Sequence, residues 1–127
     1  MTGAGFVAVG VGAALGAWLR WWLGLLLNPV FPTLPYGTLA ANLVGGYLIG
    51  VAVEVFVHHS GVPPEVRLFV ITGFLGGLTT FSTFSAEAVA LLARQQFAWA
   101  SALILSHLVG SLTMTILGII TVKTMRG

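Results

Sequence analysis

The sequence predicts an all-α integral membrane protein of four transmembrane helices, and three observations carry that prediction. Of 127 residues, 57% are hydrophobic and only 6% are charged, whereas an ordinary soluble domain carries about 25% charged residues. Glycine occurs 17 times, nearly double its usual share of about 7%, and glycine-rich, charge-poor chains are typical of helices packed in lipid. The apolar residues are also gathered into four runs, each reaching the roughly 20 residues that cross a bilayer as a helix. The mean hydropathy of +1.04 agrees. The same figures exclude other classes. The chain is too apolar to be disordered. Without a cysteine it is neither a disulfide scaffold nor a cysteine-ligated zinc protein. Its five basic residues are scattered, so it lacks the basic patch of a nucleic-acid binder.

The first run, residues 3–27, is interrupted only by Arg20. It lacks a basic segment in front and is too long for a secretion signal, so it reads as a retained helix. Asn28-Pro29 through Pro35-Tyr36 is a proline-rich turn, where helices end. The second run, residues 37–58, carries only Glu54. The turn that follows it closes on Pro64, suited to a first helical turn, and Glu65, which complements that helix's positive end. The third helix is expected over residues 64–93, where Glu87 is the one charge inside the apolar stretch. Arg94-Gln95-Gln96 forms the last turn, and the fourth helix, residues 96–122, has His107 as its only ionisable side chain. One four-helix domain over residues 1–127 leaves no room for a soluble one. Trp18, Trp21, Trp22, Tyr36 and Trp99 fall near the ends of the spans, as interfacial aromatics do.

Orientation is weakly marked. With four spans, Arg67, Lys123 and Arg126 lie on one side and Arg94 and Arg20 on the other. Three against two is almost no positive-inside bias. That count fits the scatter expected of a small protein, and it equally fits a chain that inserts both ways up, whose subunits then pair antiparallel. A unit this small has little interior, so a polar path lies more easily between subunits. Gly12 and Gly16, Gly46 and Gly50, and Gly73 and Gly77 are each four apart, a spacing that brings helices close and favours a packed oligomer.

The third run holds the unusual chemistry. As one helix, residues 64–93 would be about 45 Å long at 1.5 Å per residue, against a hydrocarbon core of about 30 Å. Gly76-Gly77 followed by Thr79-Thr80 is a natural place for it to break. A break at membrane depth frees backbone groups, which lipid cannot satisfy and which commonly form ion sites. Its carbonyls suit a cation; the alternative is a kink stabilised by Ser and Thr hydroxyls. Five hydroxyl residues fall between positions 79 and 85, too many for a lipid-facing helix, and Ser82 and Thr83 are among them. Phe81 and Phe84, three apart, share a face. The positive edges of their rings can line an anion path, although a membrane phenylalanine is also plain core.

Other polar residues are few enough to name. Asn42 is the one amide deep in the second helix, either a pair of donors for a pore or glue between helices. Arg20 supplies positive potential to an anion or snorkels to the interface. Glu87 lies three residues beyond Phe84, an intramembrane carboxylate and hence a functional suspect. His107, Ser111 and Thr115 recur at four-residue spacing as one polar stripe, lining water or joining helices. No HExxH, GxSxG or phosphate-binding loop is present, and carboxylates are too few for acid–base pairs, so the chain is not expected to be an enzyme. His58-His59 has no further ligands to make a metal site.

The run from Gly73 to Ser85, with Ala41-Asn42-Leu43-Val44-Gly45-Gly46 and Gly16-Ala17-Trp18-Leu19-Arg20 before it, closely resembles the Fluc/CrcB family of fluoride channels, and the likeness spans essentially the whole chain. That resemblance implies an antiparallel, dual-topology homodimer in the cell (inner) membrane, with two passive fluoride pathways that export the ion and relieve its toxicity. It implies a structural Na⁺ at the dimer centre, held by backbone carbonyls of Gly76 and Thr79 from each subunit. Phe81 and Phe84 become the pore phenylalanines, Asn42 the pore amide and Arg20 the vestibule cation. Ser82, Thr83, His107, Ser111 and Thr115 become the polar track, with His107 a departure from the usual hydroxyl, and Glu87 an acidic position of undefined role. The rival reading is a small dual-topology, proton-coupled drug exporter. Such exporters rely on a carboxylate in the first helix, where this chain has Arg20.

Overall fold

The computed structural model describes residues 1–127 and contains helices and turns without a strand. Four stretches are long and apolar enough to cross a membrane: Gly3–Val30, Tyr36–Val57, Pro64–Ala93 and Phe97–Arg126. They are called here the first to fourth spans. Thr2 caps the first, its hydroxyl accepting from Gly5 N–H at 2.9 Å, and Asn28–Val30 closes it as a 3₁₀ turn. The fourth helix runs on past Val122 to Arg126. Lys123 and Arg126 sit in its last turn, where cations favour the negative helix end. Arg126 also reaches Glu54 on the second span at 3.3 Å, and His58 meets the same carboxylate oxygen at 3.0 Å.

The third span is not one regular helix. Pro64–Arg67 begins as α-helix, Leu68–Leu75 is π-helical and Gly76–Leu78 is a single α turn. Thr79 and Thr80 then take extended backbone, with ψ of 154° and 121°, and α-helix resumes over Phe81–Ala93. Gly76 and Gly77 are themselves helical, so the change of direction falls at the two threonines that follow them.

The first span packs against the front half of the third, and the second against the fourth. The three glycine pairs make this possible within the chain. A Cβ at Gly16 would strike the Phe74 carbonyl, and one at Gly50 the Thr115 carbonyl. Backbones that approach this closely leave no room for a side chain. The buried residues form two groups. Ala41, Ala52, Leu75 and Leu78 fill the space between the first three spans, and Leu34, Ala88, Leu91, Ala100 and Leu103 join the end of the third span to the fourth. Elsewhere the spans turn Val, Leu, Ile and Phe outward, the surface expected of helices that face acyl chains.

Candidate functional site

The site is built on the extended pair Thr79–Thr80. Where a helix stops, backbone donors and acceptors lose their partners and must find others. Asn42, from the middle of the second span, takes over this role. Its Oδ1 accepts from Thr80 N–H at 2.8 Å, and its Nδ2 donates to the Thr80 carbonyl at 3.0 Å. Thr80 then caps the resumed helix, its Oγ1 accepting from Thr83 N–H at 3.0 Å. Arg20 reaches across from the first span, and its Nε donates to the Gly77 carbonyl at 3.0 Å.

These substitutions leave two acceptors over. In a continuous helix Thr80 N–H would serve the Gly76 carbonyl, and Thr83 N–H the Thr79 carbonyl. Here Thr80 N–H goes to Asn42 and Thr83 N–H to the Thr80 hydroxyl. The carbonyls of Gly76 and Thr79 thus lose their helical donors. Neutral carbonyl oxygens in an apolar setting suit a hard cation, so the residues present fit a Na⁺ site on chemical grounds.

The same amide fixes a tautomer. Since Asn42 Oδ1 faces a donor, Nδ2 is the atom 3.0 Å from His107 Nδ1. An NH₂ group only donates, so Nδ1 accepts and the ring hydrogen resides on Nε2. His107 is 4% exposed, and its Nε2 is buried without a partner. A buried N–H with no protein partner is able to donate to a small acceptor such as an anion or a water. The Phe84 ring lies against the imidazole at 4.8 Å between centroids, and Phe81 meets Phe84 edge-on at 5.5 Å.

A cavity of about 710 Å³ opens beside these groups, lined among others by Asn42, Gly76, Thr79, Phe84, His107 and Ser111. Phe81 also lines it while remaining 80% exposed on the isolated chain. A second cavity of about 290 Å³ lies beyond Thr80, with Arg20, Asn28, Thr38 and Thr83 in its wall.

The structure thus distributes the residues singled out in the sequence. Asn42, Gly76, Thr79, Phe81, Phe84, His107 and Ser111 share the larger cavity, and Arg20 and Thr83 share the smaller. Ser82 is exposed, its hydroxyl 3.4 Å from that of Thr80. Thr115 lines neither cavity. Its hydroxyl donates to the Gly46 and Ser111 carbonyls at 2.9 and 3.0 Å. Glu87 stands behind the smaller cavity, where its Oε2 accepts from Thr38 Oγ1 at 2.6 Å and its Oε1 is buried without a partner. Three residues hold roles that the sequence did not assign to them. Thr80 was named at the break and among the five hydroxyls but not as a cap, although threonine is a favoured residue at a helix start. Asn28 was visible only as part of a turn, and Thr38 had no local signal.

The family model described as CrcB-like protein, Camphor Resistance (CrcB) matches residues 7–119. The chain is 74% identical over 116 residues to a fluoride-specific ion channel FluC of Nitrosospira multiformis, a match that covers 91% of each chain. It is 67% identical over 124 residues to that of Ralstonia pickettii, covering 98% of each. It is 59% identical over 121 residues to that of Thiobacillus denitrificans, covering 95% of this chain and 98% of the relative.

Proposed function

The chain belongs to the CrcB family, and from that premise we infer that it is a multi-pass membrane channel that conducts fluoride passively and exports it from the cytoplasm, lowering its toxicity. The observation that carries this reading is the 74% identity to a fluoride-specific channel over 91% of both chains. An ion channel has no bond to make or break, which agrees with the lack of a catalytic motif.

The finer reading is ours. The third span breaks at mid-membrane depth, at Thr79–Thr80, and two copies of the chain pair antiparallel in the cell (inner) membrane across that break. The exposed Phe81 and the open flank of the larger cavity support this pairing, since a second copy would cover both. Each chain contributes the Gly76 and Thr79 carbonyls to a central Na⁺, which when bound supplies a fixed positive charge that offsets an anion in a low-dielectric interior.

Fluoride is small and strongly hydrated, so its path must replace water with close donors. Arg20, whose terminal nitrogens are free while Nε is tied to Gly77, raises the potential at the smaller cavity. Thr83 adds a hydroxyl there. His107 offers the unpaired Nε2–H, held in the donating tautomer by Asn42, and Ser111 continues the polar side of the larger cavity. Phe81 and Phe84 supply ring edges between these donors. Ser82 belongs to the same polar surround, whereas the Thr115 hydroxyl is tied to the Gly46 carbonyl and stands outside the path. Glu87 acts through Thr38, whose hydroxyl it orients.

The test is ion efflux from proteoliposomes with fluoride or chloride inside, for the wild-type chain and for Phe81→Ile. We expect fluoride flux with little chloride flux, and near-complete loss in the variant. Equal halide rates, or a variant that conducts as wild type, would contradict the reading. The drug-exporter alternative predicts instead that uptake of a cationic dye collapses with the pH gradient, and the first span's Arg20 in place of an acid speaks against it.

A further inference from the structure

We propose that Asn28 serves the smaller cavity with both ends of its side chain: its oxygen fixes the start of the second span, and its NH₂ group joins the free guanidinium nitrogens of Arg20 in holding a small anion. This rests on the channel reading above and adds to it a residue that the sequence showed only as part of a turn.

A helix of 22 residues beginning at Tyr36 leaves its first N–H groups without partners. Pro35, at the capping position, has no side chain that can accept. Asn28 supplies the missing acceptor from 9 and 10 residues upstream, its Oδ1 taking Gly37 N–H at 2.7 Å and Thr38 N–H at 3.1 Å. Gly37 makes the approach possible, because a Cβ there would collide with Asn28 Oδ1 and the Leu23 carbonyl. The cap in turn sets the position of Thr38, and through its hydroxyl that of Glu87.

An oxygen that faces two donors fixes the identity of the other atom. The NH₂ group therefore points away from the cap. It lies 3.3 Å from where a Cβ of Gly24 would stand, and Gly24 and Asn28 both line the smaller cavity. No group of the chain accepts from it, and it is not among the buried unpaired atoms, so it is open to the cavity. Arg20 lines the same wall with Nη1 and Nη2 unpaired. The lining residues include one cation and no carboxylate. The nearest acid, Glu87, is separated from the cavity by the Thr38 hydroxyl it accepts from. A guanidinium, an amide NH₂ and the Thr83 hydroxyl around about 290 Å³ make a place where an anion exchanges water for protein donors.

The two ends of Asn28 can be separated by substitution. Asn28→Asp retains an oxygen cap, well suited to the positive end of a helix, but replaces the donor with a negative acceptor. We expect Asn28→Asp in proteoliposomes to melt at the wild-type temperature while fluoride efflux falls at least about tenfold, the scale of one lost hydrogen bond to a charged ligand. We also expect the fluoride concentration for half-maximal rate to rise. Asn28→Ala loses cap and donor together, and is expected to show the same fall in efflux with a lower melting temperature. Wild-type efflux in Asn28→Asp would show that the amide only caps and would overturn the proposal. Undiminished efflux in Asn28→Ala would overturn it even if the Asp variant did not fold. Failure of the wild-type chain to carry fluoride in the same vesicles would instead overturn the channel reading.

Discussion

Two regions of this molecule use the same residue types for opposite ends. Along the seam between the second and fourth spans, Gly46, Gly50 and Gly118 let backbones touch, and the hydroxyls beside them turn inward. Thr115 donates to the Gly46 and Ser111 carbonyls, and Tyr47 donates to Thr121 Oγ1 at 2.9 Å while Thr121 donates to the Leu117 carbonyl. The two threonines each add a side-chain partner to a backbone that is already helical, and the tyrosine ties one of their hydroxyls to the neighbouring span. Around Thr79–Thr80 side chains take the place of backbone partners instead. Asn42 and the Thr80 hydroxyl occupy the N–H groups that a helix would have aimed at the Gly76 and Thr79 carbonyls. What distinguishes a structural seam from an ion site is the bookkeeping of donors and acceptors, since only the second region has any left over.

That contrast can be broken in order of expected effect. Replacing His107 with Leu removes both the acceptor for Asn42 and the free Nε2–H. We expect fluoride efflux to fall by more than tenfold, because a buried donor left unpaired costs about 1–3 kcal/mol and the ion loses a donor as well. A rate within twofold of wild type would place the anion elsewhere. At the seam, Gly50→Val forces a side chain into the Thr115 carbonyl. Overpacking of this kind costs about 1–3 kcal/mol, so we expect a lower melting temperature in detergent, with fluoride-over-chloride preference intact in the protein that survives. A changed preference would show that the seam shapes the path. Tyr47→Phe is the mildest, deleting one hydrogen bond at a net cost of about 1 kcal/mol. Efflux is expected to be unchanged, and a loss of rate would extend the conducting region to the far end of the fourth span.

The sequence discloses these two regions unequally. Four spans, the odd chemistry of the third and the pairing of Phe81 with Phe84 were legible because composition and period 3.6 report them directly. The cluster at Asn42, Phe84, His107 and Ser111 was legible as residue types, since polar side chains at membrane depth are rare enough to name. Position was harder. Gly76-Gly77 is the stronger local helix breaker, yet both residues are helical and Thr79–Thr80 are extended, because the cap at Thr80 and the amide of Asn42 decide where the helix restarts. The stripe at 107, 111 and 115 gave three equal candidates, but rotation about one bond turns Thr115 to the Gly46 carbonyl. Asn28 was visible only as part of a turn, and its capping role was hidden. Its partners lie 9 and 10 residues downstream, and no periodicity within a turn records a cap supplied from outside the helix.

The most direct test sets one residue from each region side by side. Asn42→Leu and Thr115→Val each delete polar atoms at membrane depth, the first from the extended pair and the second from the seam. Fluoride efflux is measured from proteoliposomes reconstituted with equal amounts of folded protein. We predict efflux reduced by at least about tenfold in Asn42→Leu, which orphans Thr80 N–H and the Thr80 carbonyl, and efflux close to wild type in Thr115→Val. Equal rates in the two variants, whether both high or both low, would contradict the division of labour described here.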